Sequence, residues 1–215
     1  MTMDMASVED ARLTGYRRRL LAALASAIAE KGLAATTIND VVERAGVSKR
    51  DFYLAYPSKE DAFLDLYRAA SRRGIEAVTR AMQGDRSPED VLRQAVHGFL
   101  ALLDREPALT RAHFLDIYGL GRRGLAARRE AVLGYCEAIW VQLERARGRR
   151  RPRRMPVQAM TAALGAVNEL ALASIESGSS RALVDLAEIA ARVVEPLVGA
   201  GTAARVGAVR PGRAS

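Results

Sequence analysis

The 215-residue chain has a single cysteine, Cys136, and only two histidines, His97 and His113. One thiol excludes an internal disulfide framework, and so few sulfur and imidazole ligands leave no paired spacing for a bound metal. Such usage suits a reducing cytoplasm, the expected location. The chain also lacks a Gly-rich phosphate loop and a nucleophile with a base and an orienting group beside it, so it is expected to be no enzyme and to need no cofactor. The opening MTMDMASVED is acidic and has no apolar run of the kind that export signals carry. The most apolar later stretch, 157–175, is interrupted by Gln158, Asn168 and Glu169, which argues against a membrane partner. No segment alternates apolar and polar residues convincingly enough for a strand, and the fold class read from this is all-α.

What remains is enough to fold. Hydrophobic residues make up 49% of the chain and charged residues 27%, sufficient to bury a sizeable core. The formal net charge is +8, but residues 1–70 carry ten basic and ten acidic side chains, so the excess lies further along. Within residues 10–59 the balance is nine basic to five acidic, which permits a local positive face.

Helical periodicity organises the N-terminal part. Leu20, Leu24 and Ile28 recur at i, i+4 and i+8, predicting a first helix over 14–31 that stops at Gly32. Ile38, Val41, Val42 and Ala45 form one apolar stripe, and Gly46 ends that second helix. Thr37 with Asp40, Ser48 with Asp51 and Ser58 with Asp61 each have capping-box spacing, in which a hydroxyl takes an orphan N–H and a carboxylate reaches back. Three helices therefore start in close succession. The turn Ala45-Gly46-Val47-Ser48 between two such short helices forces a steep crossing, the geometry of a helix-turn-helix.

Lys31-Gly32, Ala35-Thr36-Thr37, Ile38, Ala45-Gly46-Val47-Ser48, Phe52-Tyr53, Tyr56 and Ser58-Lys59-Glu60, all within residues 16–67, resemble the DNA-binding domain of the tetracycline-repressor (TetR) family of transcriptional regulators. The resemblance implies a three-helix DNA-binding domain followed by a larger helical ligand-binding and dimerisation domain, and repression relieved by a small molecule. The chain departs from the family pattern at Leu54 and Ala55, where an aromatic or His pair is usual, and at Asp51, where Thr is frequent. These three positions are expected on the DNA side. Asp51 itself either caps the recognition helix or reads a base.

In the helix over 48–55, Lys49, Arg50 and Tyr53 share one surface while Phe52 and Tyr56 face inward. Lys49 and Arg50 are the expected base readers, Arg50 matching guanine O6 and N7 bidentately. Tyr53, Lys59, Thr37 and the helix-capping Ser48 complete the expected DNA-binding set, with phosphate the expected partner of the first three.

The later helices are read from Pro, Ser and Gly punctuation. They run over 59–82, from 87, over 107–118, to 147 after a break marked by Gly119, Gly121 and Gly124, over 156–177 and over 180–198, giving about nine in all. The expected divisions are a DNA-binding domain at 10–57, a ligand-binding and dimerisation domain at 58–199 and a disordered tail at 200–215. The last two helices are apolar around much of their circumference and need partners on more than one side, so residues 156–198 are the expected homodimer interface, as the resemblance also implies. The expected partners are a double-stranded, palindromic DNA operator and a small-molecule effector whose pocket draws on Phe99, His113, Phe114, Tyr118, Tyr135 and Trp140. The competing readings are a helical protein-interaction module that does not bind DNA, and a DNA-binding regulator that no ligand gates.

Overall fold

The helical periodicities close into nine α-helices in a computed structural model that describes residues 5–147, 157–177 and 182–199. They are α1 (Met5–Ala35), α2 (Ile38–Ala45), α3 (Lys49–Ala55), α4 (Lys59–Ala81), α5 (Pro88–Arg105), α6 (Pro107–Phe114), α7 (Gly121–Arg147), α8 (Val157–Glu176) and α9 (Ala187–Gly199). Short 3-10 turns, Asp116–Leu120 and Leu183–Leu186, precede α7 and α9. No strand occurs among the described residues. The expected tail at 200–215 and the start of the expected ninth helix at 180 lie outside them.

Helix ends follow the chemistry read from the sequence. Thr37 and Ser48 each accept the N–H of the Asp three residues on, and Asp40 and Asp51 return the bond to the cap N–H, so both capping boxes are complete. Ser58 accepts the Asp61 N–H, but the Asp61 carboxylate turns to the Ser58 hydroxyl and to Arg123 of α7. Gly46 ends α2 in the left-handed conformation with φ 59°, and Gly32 breaks α1 at φ 77°. Both are positions where a side chain would be strained.

Two corrections concern the middle of the chain. The sixth helix ends at Phe114 rather than near Tyr118, because the chain tightens there into the 3-10 turn. Gly124 is no break: it lies inside α7 and is buried, and a Cβ on it would overlap the Ile117 carbonyl oxygen. It is the point at which α7 closes on the preceding turn.

Burial divides into two clusters. One, centred on Leu20, Leu24, Ile28, Val41 and Phe52, fills the space among α1, α2 and α3 and continues through Phe63 and Tyr67 of α4 to Ile117 and Ala127. The other joins α4, α5, α7, α8 and α9 through Val78, Phe99, Leu100, Trp140, Leu143, Val167 and Val194. The first half of α4 thus belongs to the N-terminal core and its second half to the C-terminal one.

On α9, Ala190, Val194 and Val198 face inward, while Ile189, Val193 and Leu197 form an exposed stripe at i, i+4 and i+8. On α8, Ala162, Gly165 and Glu169 are exposed, and the space beside the Gly165 Cα is open.

Candidate nucleic-acid interface and effector crevice

Helix α3, the expected recognition helix, is held by its buried side. Phe52 is fully buried and Tyr56 nearly so, and the Tyr56 hydroxyl donates to Asp65 Oδ2 at 2.8 Å. Burial, and then the Asp65 carboxylate, push the Tyr56 phenol well above its ordinary range, so it stays a donor. At the C-terminal end of α3, Arg17 donates to the Ala55 carbonyl at 3.3 Å and its guanidinium sits over the Tyr56 ring. With one side anchored, the other is presented. Lys49 and Arg50 are exposed and have no hydrogen bond or ion pair among the described residues. Tyr53 is 56% exposed, with its ring edge-on to Phe52, and Leu54 beside it is also exposed.

Of the three departures expected on the DNA side, Ala55 is buried in the core and takes no part in that surface. Asp51 completes the capping box with Ser48, its Oδ2 accepting from the Ser48 N–H at 3.1 Å and the hydroxyl at 2.7 Å. Thr37 and Ser48 are exposed at the starts of α2 and α3. Lys59 is half-buried and its ammonium donates to the Leu33 and Thr36 carbonyls at 2.8 and 2.6 Å. Two of its three protons close the end of α1, which leaves one to point outward. Sequence spacing did not signal this role, since the bonds cross 26 and 23 residues.

Around this core, ion pairs fix the first two helices. Arg44 forks onto the Glu30 carboxylate at 2.7 and 2.5 Å, and Lys31 reaches Asp40 at 2.8 Å. The Lys31 bond, then the Thr37 hydroxyl and N–H, hold the exposed Asp40 carboxyl far below the usual carboxylate range.

The C-terminal cluster contains a narrow apolar crevice with about 40 Å³ of free space. Phe99, Tyr135, Cys136, Met160, Ala163 and Val167 are among its walls, with residues of α4, α5 and α9 completing it. Of the six residues expected around a pocket, Phe99 and Tyr135 line it. His113 stands behind Phe99, ring centroids 6.0 Å apart, and Phe114 packs against His113 on the far side. Trp140 is buried in the same cluster without reaching the crevice. Tyr118 does not join them: it is 48% exposed on the 3-10 turn, under the Arg128 guanidinium.

Sequence reasoning did not name Cys136, Met160 and Ala163 as crevice residues, nor Tyr67 and Asn168 beside His113. The polar residues of α8, Gln158, Asn168 and Glu169, were the available signal, since a buried Asn in an apolar helix requires partners. Burial of Cys136 raises its thiol above the usual range, leaving it protonated rather than nucleophilic. Among the described residues no group of three or more His, Cys, Asp or Glu side chains could hold a metal, and no helix is long and apolar enough to cross a membrane.

Residues 20–66 match the family model described as bacterial regulatory proteins, tetR family. The HTH-type transcriptional regulator EthR of Mycobacterium tuberculosis is 28% identical, the match covering 87% of each chain. Solved structures that share the fold include two FadR regulators. The transcriptional regulator FadR of Bacillus subtilis, in complex with stearoyl-CoA, has a TM-score of 0.70 at 18% identity, covering 82% of this chain and 96% of that one. The fatty acid degradation regulator FadR of Bacillus halodurans has a TM-score of 0.71 at 17% identity, covering 83% and 94%.

Proposed function

We propose that this chain, a member of the tetR family of bacterial regulatory proteins and therefore a transcriptional regulator rather than an enzyme, binds a palindromic operator as a homodimer and releases it when a small apolar effector enters the crevice. The observation that carries the reading is the two-sided α3: Phe52 and Tyr56 locked in the core, Lys49 and Arg50 presented without internal partners, and Tyr53 exposed beside them with its ring edge-on to Phe52. Phosphates supply most of the affinity and base edges the choice of sequence, so Arg50 and Lys49 read bases. Tyr53, Thr37, the exposed cap Ser48 and the remaining Lys59 proton hold the backbone. Residues 10–57, with Lys59 just beyond them, carry this contact, and 58–199 the effector and the partner subunit.

The second copy fits against α8 and α9. Ile189, Val193 and Leu197 present an apolar stripe next to an α8 face bearing Ala162 and Gly165, small enough for close helix approach. Two recognition helices then meet half-sites one DNA turn apart, roughly 34 to 36 Å. A crevice of about 40 Å³ is too small for an effector as it stands, so binding must spread its walls, and this spreading is the change that alters the spacing. The stearoyl-CoA held by the Bacillus subtilis protein is an apolar-bodied ligand of the kind such a crevice suits.

Selection of bound duplexes from a random pool, followed by footprinting, tests the DNA half. An inverted repeat protected by wild type, and by neither Arg50→Ala nor the dimer-breaking Val193→Asp, is expected. Recovery of no preferred sequence would favour the interaction-module reading. An operator bound with unchanged affinity at every effector concentration would favour a regulator that no ligand gates.

A further inference from the structure

Behind the crevice lies a buried polar group that the apolar reading leaves unused. His113 of α6 and Asn168 of α8 are both more than nine-tenths buried, and His113 Nε2 and Asn168 Oδ1 each lack a hydrogen-bond partner. On its other side the imidazole meets Tyr67 of α4, with Oη and Nδ1 3.4 Å apart and the rings stacked. Burial raises the Tyr67 phenol to about 12, so the phenol keeps its proton and is the donor of this pair. That assigns the neutral ring's own proton to Nε2. The result is an N–H donor whose neighbouring acceptor, Asn168 Oδ1, it meets outside hydrogen-bond geometry, in a place where an unmet donor is costly.

The neighbours decide what kind of group answers it. The positive charge of Arg128 in α7 is felt at both the His113 ring and the Tyr67 phenol, which disfavours a cationic or donor-only guest and favours an electron-rich one. Asn168 stands beside the ring and, with its amide turned, offers a second N–H. Phe99 connects this pole to the crevice, since its ring lines the crevice on one side and meets His113 edge-on on the other. Phe99 is thus the side chain that would have to rotate for the crevice to reach the polar end.

We propose that His113, seconded by Asn168, is the hydrogen-bond donor for an sp2 oxygen, a carbonyl or a carboxylate, at the head of an otherwise apolar effector. The inference rests on the effector reading above and names the chemistry of its ligand. The body is a slender hydrocarbon that spreads the walls formed by Phe99, Tyr135, Met160 and Val167; the head is an oxygen acceptor, not an amine and not a bare hydrocarbon end.

The test compares undecan-2-one with its hydrocarbon isostere 2-methylundec-1-ene on the full-length wild-type protein by calorimetric titration, with undecanoate as a third probe. The ketone is expected to bind more tightly than the alkene, on the order of tenfold for one buried hydrogen bond, and His113→Phe is expected to erase that preference while still taking both. Undecanoate binding more tightly than the ketone would identify a carboxylate head, and weaker binding a neutral carbonyl. Equal binding of ketone and alkene to wild type would overturn the head-group assignment and leave an apolar effector standing, with a buried water as the partner of His113. This comparison depends on no variant folding. A preference that survives in a folded His113→Phe would also overturn it. Binding of none of the three probes by protein that still holds its operator would overturn the effector reading itself.

Discussion

Asp116 accepts the backbone N–H of Leu33 through Oδ1 at 3.2 Å, a bond between the turn after α6 and the end of α1 that spans 83 residues. The same carboxylate faces Arg111 of α6 at 3.6 Å, and the Arg111 guanidinium lies so close over Gly32 that a Cβ there would overlap it. His113 stands on the same short helix, two residues from Arg111 and three from Asp116. One turn of helix therefore has its inner side on the candidate effector site and its outer side on the DNA-binding domain, at the point where Lys59 also closes α1.

Removing that link should separate binding from response. Asp116→Ala leaves the Leu33 N–H without its acceptor, costing roughly 1 to 3 kcal/mol of stability. Effector affinity should stay near wild type while the effector-induced loss of operator affinity shrinks. Titration of operator with and without effector, on protein checked by thermal melting, measures both. By linkage, the operator's effect on effector affinity should shrink by the same factor.

Specificity and affinity should divide between two cations, one on α3 and one at the start of α4. Arg50→Ala is expected to relax choice at one base pair per half-site, at a cost of roughly 1 to 3 kcal/mol, and to leave stability unchanged. Lys59→Ala should weaken all duplexes alike and also lower the melting temperature, because it opens the carbonyl end of α1. Binding over a salt series on matched and mismatched duplexes distinguishes them, and an equal loss on every sequence for Arg50→Ala would show that Arg50 does not read a base.

Acid should unfold the protein partly through His113. Burial first, and then the Arg128 charge, lower its pKa from 6.5 to about 4, with Asn168 pulling the other way. The unfolded chain takes up a proton below 6.5 and the folded chain only near 4, so the folded state is disfavoured increasingly as pH falls through that window. The destabilisation amounts to about 3 kcal/mol, fully developed below pH 4 and absent above pH 7. Urea midpoints at pH 7, 5.5 and 4.5 should decline, and the decline should be shallower in His113→Phe.

Two glycines should respond oppositely to the same change. Gly124→Ala drives a methyl into the Ile117 carbonyl oxygen and is expected to cost roughly 1 to 3 kcal/mol. Gly165→Ala meets open space in the protomer and should raise monomer stability by up to about 1 kcal/mol through helix propensity. If α8 packs against its copy, the Gly165 methyl should nonetheless weaken the dimer. Sedimentation across a dilution series, set beside melting curves, reads the two effects separately.

Local chemistry was legible in the sequence where partners are near in the chain. The capping boxes at Thr37 and Ser48, the left-handed Gly46 and the inward Phe52 and Tyr56 all follow from spacings of three or four residues. Long-range contacts were not. Nothing local reveals that Lys59 bonds to Leu33, that Ala55 faces the core, or that Gly124 lies against Ile117 rather than ending a helix. The pocket was half legible for the same reason: aromatic residues mark apolar volume, but which of them line a crevice depends on the crossing of α4, α5, α7 and α8. Hence Phe99 and Tyr135 fall on the crevice wall, Tyr118 lies on the surface, and the small residues Cys136 and Ala163 carried no local mark of the crevice.

The crevice wall also contains the chain's single thiol. Because Cys136 is buried and protonated, a thiol reagent consumes it only during the intervals when the surrounding helices part. Alkylation followed by mass measurement therefore keeps time on those openings without any engineered probe. An occupant that holds the sulfur covered slows the clock, an occupant that props the helices apart around it speeds it, and the operator, by favouring the closed spacing, should slow it as well.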